Sequence, residues 1–183
     1  MNKEQLITYL SRMDAALSGK AILCVYGSAV FILLDEVDRT SLDIDVAAPY
    51  STVDFADFKQ AAEKAGLQIN PPEEYSLEHI EWISQLRLCL PAPQPQTEMI
   101  LWQGKKLTLK TVSISELIAS KLIRYDAIDQ TDIQFVCTET KVAVTDIEAA
   151  VESLPSPFNS DPIVRQNLEH LKIDLQQWLD TRA

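Results

Sequence analysis

The chain has 183 residues, 46% of them hydrophobic and 23% charged, which is enough to bury a core and excludes fibrous and disordered classes. Its 27 acidic residues outnumber 16 basic ones for a formal charge of −11, which weighs against a protein that grips nucleic acid mainly through phosphates, because that grip needs clustered Lys and Arg. The three cysteines, Cys24, Cys89 and Cys137, lie in apolar runs without Cys-x-x-Cys spacing, so buried free thiols explain them better than zinc or disulfides.

From the N-terminus, Leu6, Ile7, Leu10, Met13 and Leu17 recur at helical spacing, a pattern that is neither a signal peptide nor a membrane span and that points to a cytoplasmic protein without a membrane partner. The apolar run Ala21 to Tyr26 reads as a strand, the segment Ala29 to Val37 as an amphipathic helix, and Leu42 to Ala47 as a second strand. Ser51 or Thr52 then leads into a helix through Ala65, which Gly66 can end in the left-handed conformation. Glu73 to Ser84 has two readings, a helix or a covering loop. Gln85 to Leu90 is the next strand candidate, and Pro91 to Gln96 is a surface connection, since closely spaced prolines preclude regular structure. Met99 to Trp102 and Leu107 to Val112 around Gly104 read as a hairpin.

A helical part begins at Ser113, where Ser113-Ile114-Ser115-Glu116 has capping-box spacing. Its helix is read through Leu117, Ile118 and Leu122, with Lys121 and Arg124 sharing a face. Thr145 to Glu148 reads as another capping box. Pro155-Ser156-Pro157 is a short linker, and Asp161-Pro162 opens a last amphipathic helix through Ile163, Leu168, Leu171, Leu175 and Leu179. The expected architecture is α/β (α+β): a small mixed sheet flanked by helices over residues 1–112, with a helical part over 113–183 packed on it as one compact unit.

Chemistry concentrates early. Alternate residues of a strand project to one face, so Asp43 and Asp45 sit side by side while Leu42, Ile44 and Val46 face the core. Two carboxylates so close repel each other, and a divalent cation relieves the repulsion; Mg2+ suits them, with Mn2+ as the alternative, because it takes one or two carboxylates and completes its shell with water and phosphate. The Gly27-Ser28 turn supplies a backbone that a ligand can approach and a hydroxyl beside it.

This ordered set, with Arg39-Thr40 just before the Asp43-Ile44-Asp45 strand and Lys121-Leu122-Ile123-Arg124 followed by Asp129 and Asp132, resembles the nucleotidyltransferase superfamily of polymerase-beta-like fold. The nearer resemblance is to its minimal bacterial branch, which includes AbiEii-type toxin nucleotidyltransferases and uncharacterised relatives. It spans roughly residues 20 to 136. The resemblance implies transfer of a nucleoside monophosphate from an NTP to a hydroxyl acceptor, with Asp43 and Asp45 catalytic and metal-binding. Gly27, Ser28, Arg39, Lys121 and Arg124 would then bind nucleotide. Arg39 has a second role open to it, fixing the loop before the strand, and Lys121 and Arg124 have the alternative of pairing with Asp126, Asp129 or Asp132. The acceptor is a nucleic acid such as tRNA, or a protein. For tRNA the charge leaves only a local basic patch of Lys105, Lys106, Lys110, Lys121 and Arg124, although Gly104-Lys105-Lys106 reads more simply as a turn with solvated lysines.

Active members of the family present a third carboxylate from a further strand. Gln85 to Leu90 offers only Arg87 and Cys89 at its polar positions, which leaves Glu98, or Glu73 and Glu74, as substitutes. A chain without the third acid would be a degenerate scaffold, a nucleotide sensor or a toxin-antitoxin-type partner-binding module, with homo-oligomerisation through the last helix. His79 and His170 read as surface residues.

Overall fold

The computed structural model describes residues 1–180, which form seven α-helices and six strands in two compact units. The first unit holds residues 1–88 and 93–112, and the second holds 89–92 together with the chain from Ser113 onward. The class is the expected one: a six-stranded mixed sheet, order β3-β4-β2-β1-β6-β5, flanked by helices, followed by a helical part.

In the first unit α1 (Lys3–Ala16) starts at Asn2, whose side chain accepts from the Gln5 N–H while the Gln5 side chain accepts from the Asn2 N–H. Both orphan donors of the first turn are thereby satisfied. Strand β1 (Ala21–Tyr26) lies antiparallel to β2 (Asp43–Ala47) and parallel to β6 (Leu107–Thr111). Between β1 and β2 runs α2, which covers only Ser28–Leu33; every residue from Ala29 to Leu33 is buried, so it is not the amphipathic helix to Val37 that the pattern suggested. Asp35 and Asp38 adopt positive φ in the following loop, and Val37 is 83% exposed. Leu42, expected in the core, precedes the strand and is exposed.

Helix α3 (Phe55–Ala65) starts at Asp54, whose carboxylate accepts from the N–H groups of Ala56 and Asp57, and ends at Gly66 in the left-handed region. Ser51 and Thr52 do not open it. They are used by the sheet: Ile22 and Thr52 exchange both backbone hydrogen bonds, and Ser51 Oγ accepts from the Cys24 N–H.

The largest departure lies in residues 73–90. The helix-or-loop segment ends in a strand, β4 (His79–Ile83), parallel to β2, while Gln85 to Leu90, the expected strand, is a turn with Arg87 exposed. The short edge strand β3 (Gln68–Ile69) pairs with β4. Just beyond it Asn70, at φ 47°, accepts the Trp82 N–H and donates to the Trp82 carbonyl. That clamp pins the register of β4, and Ile80 and Trp82 are drawn onto the face where Phe55 and Phe58 of α3 pack against the indole. Tertiary burial thus overrides a stretch whose acids and serine favour no strand.

Strands β5 (Met99–Gln103) and β6 form the expected hairpin. Asp14 of α1 accepts the backbone N–H groups of Lys105, Lys106 and Leu107, and a side chain at Gly104 would stand 2.3 Å from its Oδ1. The turn therefore requires glycine. Partial burial opposes ionisation of Asp14, but the three N–H donors outweigh it and hold the carboxyl below its usual range.

In the second unit the Ser113 capping box forms and opens α4 (Ile114–Lys121). Arg124 lies past its end, so Lys121 and Arg124 do not share a helix face. Helix α5 (Ala127–Glu139) follows, capped by Asp126. Helix α6 (Val144–Glu152) starts at Ala143 with no side-chain cap, so the Thr145 to Glu148 capping box is absent. The last helix α7 (Pro162–Asp180) opens as expected at Asp161, which accepts from the Ile163 N–H. Leu179, assigned to its apolar stripe, has a side chain outside the described residues. No helix among the described residues is long and apolar enough to cross a membrane.

Candidate functional site

The register of three adjacent strands builds the site. On β2, Ile44 and Val46 are buried and Asp43 and Asp45 are partly exposed, so alternation places the two carboxylates together on the face opposite Ile80 and Trp82. Asp45 stands beside Tyr26 of β1 and beside Glu81 of β4, while Asp43 stands beside His79. Register partners share a face, which puts His79 and Glu81 in the row that holds the two aspartates. Neither histidine nor glutamate was expected there.

Glu81 is thus the acid on the neighbouring strand that Gln85 to Leu90 failed to supply. Glu98 is engaged elsewhere, 2.6 Å from Lys110 across the β5–β6 hairpin. His79 is buried at 8% exposure, contrary to its reading as a surface residue. Its Nδ1 lies 2.9 Å from the Leu77 carbonyl and its Nε2 lies 3.2 Å from Glu81 Oε1, with the Tyr75 ring edge-on at 5.9 Å. The signal in the sequence is the alternation of His79 and Glu81 with Ile80 and Trp82, a period of two at the end of a segment whose acids masked it.

The turn after β1 meets these acids from the other side. Gly27 has φ 65° and ψ −154°, a region open in practice to glycine alone, and a Cβ placed there would lie 2.2 Å from Asp45 Oδ2. The Asp45 carboxylate occupies the space that the missing side chain leaves. Ser28, the first residue of α2, accepts a hydrogen bond of 2.5 Å from Arg39 Nη2, and Arg39 also donates to the Thr40 carbonyl and approaches Glu36. Ser41 Oγ donates to Asp43 Oδ1 at 2.7 Å, which aims that carboxylate. Five of the seven residues singled out from the sequence, Gly27, Ser28, Arg39, Asp43 and Asp45, therefore belong to one neighbourhood of the first unit.

Lys121 and Arg124 belong to the second unit, where carboxylates engage both. Lys121 Nζ lies 2.8 Å from Asp129 Oδ1 and 2.6 Å from Asp132 Oδ2, all three side chains being buried. Arg124 makes a two-pronged contact with Asp129 at 2.9 Å and reaches Asp126. Burial alone would raise the Asp129 carboxyl, but the Arg124 hydrogen bonds and the Lys121 charge outweigh it and hold the group below the ordinary carboxylate range. In the basic patch considered for tRNA, Lys121 and Arg124 are paired with aspartates and Lys110 with Glu98, while the Lys106 ammonium donates to the Leu17 carbonyl at the end of α1.

Among the described residues no three His, Cys, Asp or Glu side chains converge closely enough to hold one metal ion between them. The donor set at β2 instead fits a hard cation that needs only one or two carboxylates and keeps the rest of its shell for water and substrate phosphate, which is the habit of Mg2+. Asp43, aimed by Ser41, and Asp45, held over the Gly27 turn, are the two residues that fit it. A concavity of about 270 Å³, lined largely by apolar groups including Cys137, Val144, Leu175 and Trp178, lies in the helical unit; among the described residues its lining has no carboxylate.

No protein-family model, curated protein or solved structure matches the chain.

Proposed function

We propose that the chain is a nucleotidyltransferase that moves a nucleoside monophosphate from an NTP to a hydroxyl acceptor. The observation that carries the reading is the registered row Tyr26, Asp45 and Glu81, with Asp43 and His79 one pair further along, on one face of three adjacent strands beside the Gly27-Ser28 turn. Glu81, in register with Asp45, supports the reading because the two-aspartate motif alone lacks a third acid.

The chain's own residues divide the work. Asp43 and Asp45 would hold Mg2+ or Mn2+, which when bound would supply charge neutralisation for the triphosphate. Arg39, already drawn to Ser28, reorients toward the phosphate tail, and the bare backbone at Gly27 admits it closely. Glu81 takes the proton of the acceptor hydroxyl as that oxygen bonds to the α-phosphorus. The bond from the α-phosphorus to the bridging oxygen breaks, and pyrophosphate leaves with the electron pair. Positioning and electrostatics provide most of the rate. Lys121 and Arg124, matched by Asp126, Asp129 and Asp132, take the structural role in this scheme. With a net charge of −11 and with Lys110, Lys121 and Arg124 paired to carboxylates, a protein hydroxyl suits the chain better as acceptor than tRNA does, and the setting is cytoplasmic.

The test is thermal stability with each NTP, with and without Mg2+, for the wild type and for Asp43→Asn/Asp45→Asn. A ligand at about a hundred times its dissociation constant adds about 2.7 kcal/mol. The expected outcome is a Mg2+-dependent rise in the wild type that the double variant loses. A rise without NTP turnover would favour the second reading, a nucleotide sensor or partner-binding module. No rise with any NTP would sink both nucleotide readings.

A further inference from the structure

We propose that His79 is a positioning residue for Glu81, holding the carboxylate as the proton acceptor beside Asp45. This rests on the nucleotidyltransferase reading and deepens it.

Three observations carry it. First, His79 is a buried polar side chain on the site's own strand, in register with Asp43 and two residues from Glu81, which shares its face. Second, the ring is fixed at both ends. The Leu77 carbonyl can only accept, so Nδ1 carries a hydrogen toward it, and the Tyr75 ring closes one side. That leaves Nε2 as the ring nitrogen facing Glu81, 3.2 Å from Oε1. Third, Glu81 lies in the middle of the strand and its side chain has 25% exposure, so it needs a partner to choose one rotamer. With Oε1 set against His79, the second carboxylate oxygen is left for the acceptor hydroxyl. Misplacing a proton acceptor slows the reaction even when the acceptor itself is intact, by up to about 100-fold for a displacement of about 1 Å.

The chain contains only two histidines, His79 and His170, so the ring nitrogens of His79 can be followed by NMR of protein carrying 15N-labelled histidine. Replacing Glu81 by Gln should move the Nε2 signal of His79 and leave His170 unchanged. Added Mn2+ should broaden His79 before His170, an effect retained in Glu81→Gln and lost in Asp43→Asn. In steady-state cleavage of NTP to NMP and pyrophosphate with water as acceptor, Glu81→Gln should lower kcat about a hundredfold. His79→Leu should lower it about tenfold with KM for NTP unchanged, and His79→Gln, whose amide can still donate to Oε1, should restore most of the loss. In the Glu81→Gln background His79→Leu should cost nothing further. A His79→Leu protein with wild-type kcat, or an Nε2 signal indifferent to Glu81→Gln, overturns the assignment of His79 alone. A wild type that cleaves no NTP and shows no selective broadening overturns the reading beneath it as well.

Discussion

Gly27 is where backbone conformation and site chemistry meet. Its φ of 65° with ψ of −154° is costly for any L side chain, about 1–3 kcal/mol, and the Cβ of an alanine would meet Asp45 Oδ2 at 2.2 Å. The carboxylate is the far end of a flexible side chain and can yield, so the clash is relieved by moving Asp45. Gly27→Ala should therefore lose about 2 kcal/mol in urea denaturation and, more tellingly, lose Mg2+-dependent stabilisation by NTP while remaining folded. Retention of that stabilisation would mean that Asp45 does not need its place over the turn. Asp43, Asp45 and Gly27 could be singled out from the chain alone because alternation and glycine chemistry are local. Glu81 could not, because its value depends on which strand lies next to β2.

At the scale of elements, carboxylates anchor two of the contacts. Asp14 ties the β5–β6 turn to α1 through three backbone N–H groups, and hydrogen bonds to an ionised group are each worth about 1.5–3 kcal/mol when removal leaves the donors unmet. Because the turn is near the surface and water replaces part of what is lost, Asp14→Ala should cost about 2 kcal/mol in chemical denaturation. An effect under about 0.5 kcal/mol would show that the hairpin is held by its strands alone. In the helical unit, Lys121, Arg124, Asp129 and Asp132 join α4 to α5. The Asp129 carboxyl is depressed in the folded state from an ordinary value near 3.8. Its contribution to stability is therefore fully present above that value and is lost as pH falls through the lower folded value. Urea midpoints should hold between pH 7 and pH 5 and fall steeply below pH 4, and the fall should be shallower in Asp129→Asn. The variant itself should be less stable at pH 7, by about 1.5–3 kcal/mol, since the charged hydrogen bonds to Asp129 are lost while Lys121 keeps Asp132.

For the whole molecule, thiol chemistry reports on both units at once. Cys24 and Cys89 are buried and Cys137 is partly exposed. Burial, with a smaller contribution from Asp161, pushes the Cys89 thiol up to about 12, so it stays protonated at neutral pH and is a poor nucleophile. Brief alkylation at pH 7.5 should modify one cysteine per native chain, Cys137, and all three in denaturant. Native labelling of Cys24 would show that β1 opens readily, and native labelling of Cys89 would show the same of the 89–92 segment.

The sequence by itself determined the α/β class, β1, β2, the β5–β6 hairpin, the Ser113 capping box and the pairing of Asp43 with Asp45, because each follows from periodicity, caps or turn residues close along the chain. It also carried both possibilities for Arg39 and Lys121 without choosing between them. Only the tertiary structure decided that residues 79–83 form a strand, through packing of Trp82 on Phe55 and Phe58 and the clamp from Asn70. That one decision moved His79 from an expected surface position to a buried one and set Glu81 beside Asp45. The tertiary structure likewise gave Arg39 to Ser28 and Lys121 to two aspartates. Strand neighbours and buried charge partners are distant in sequence, and local propensity holds no information about them.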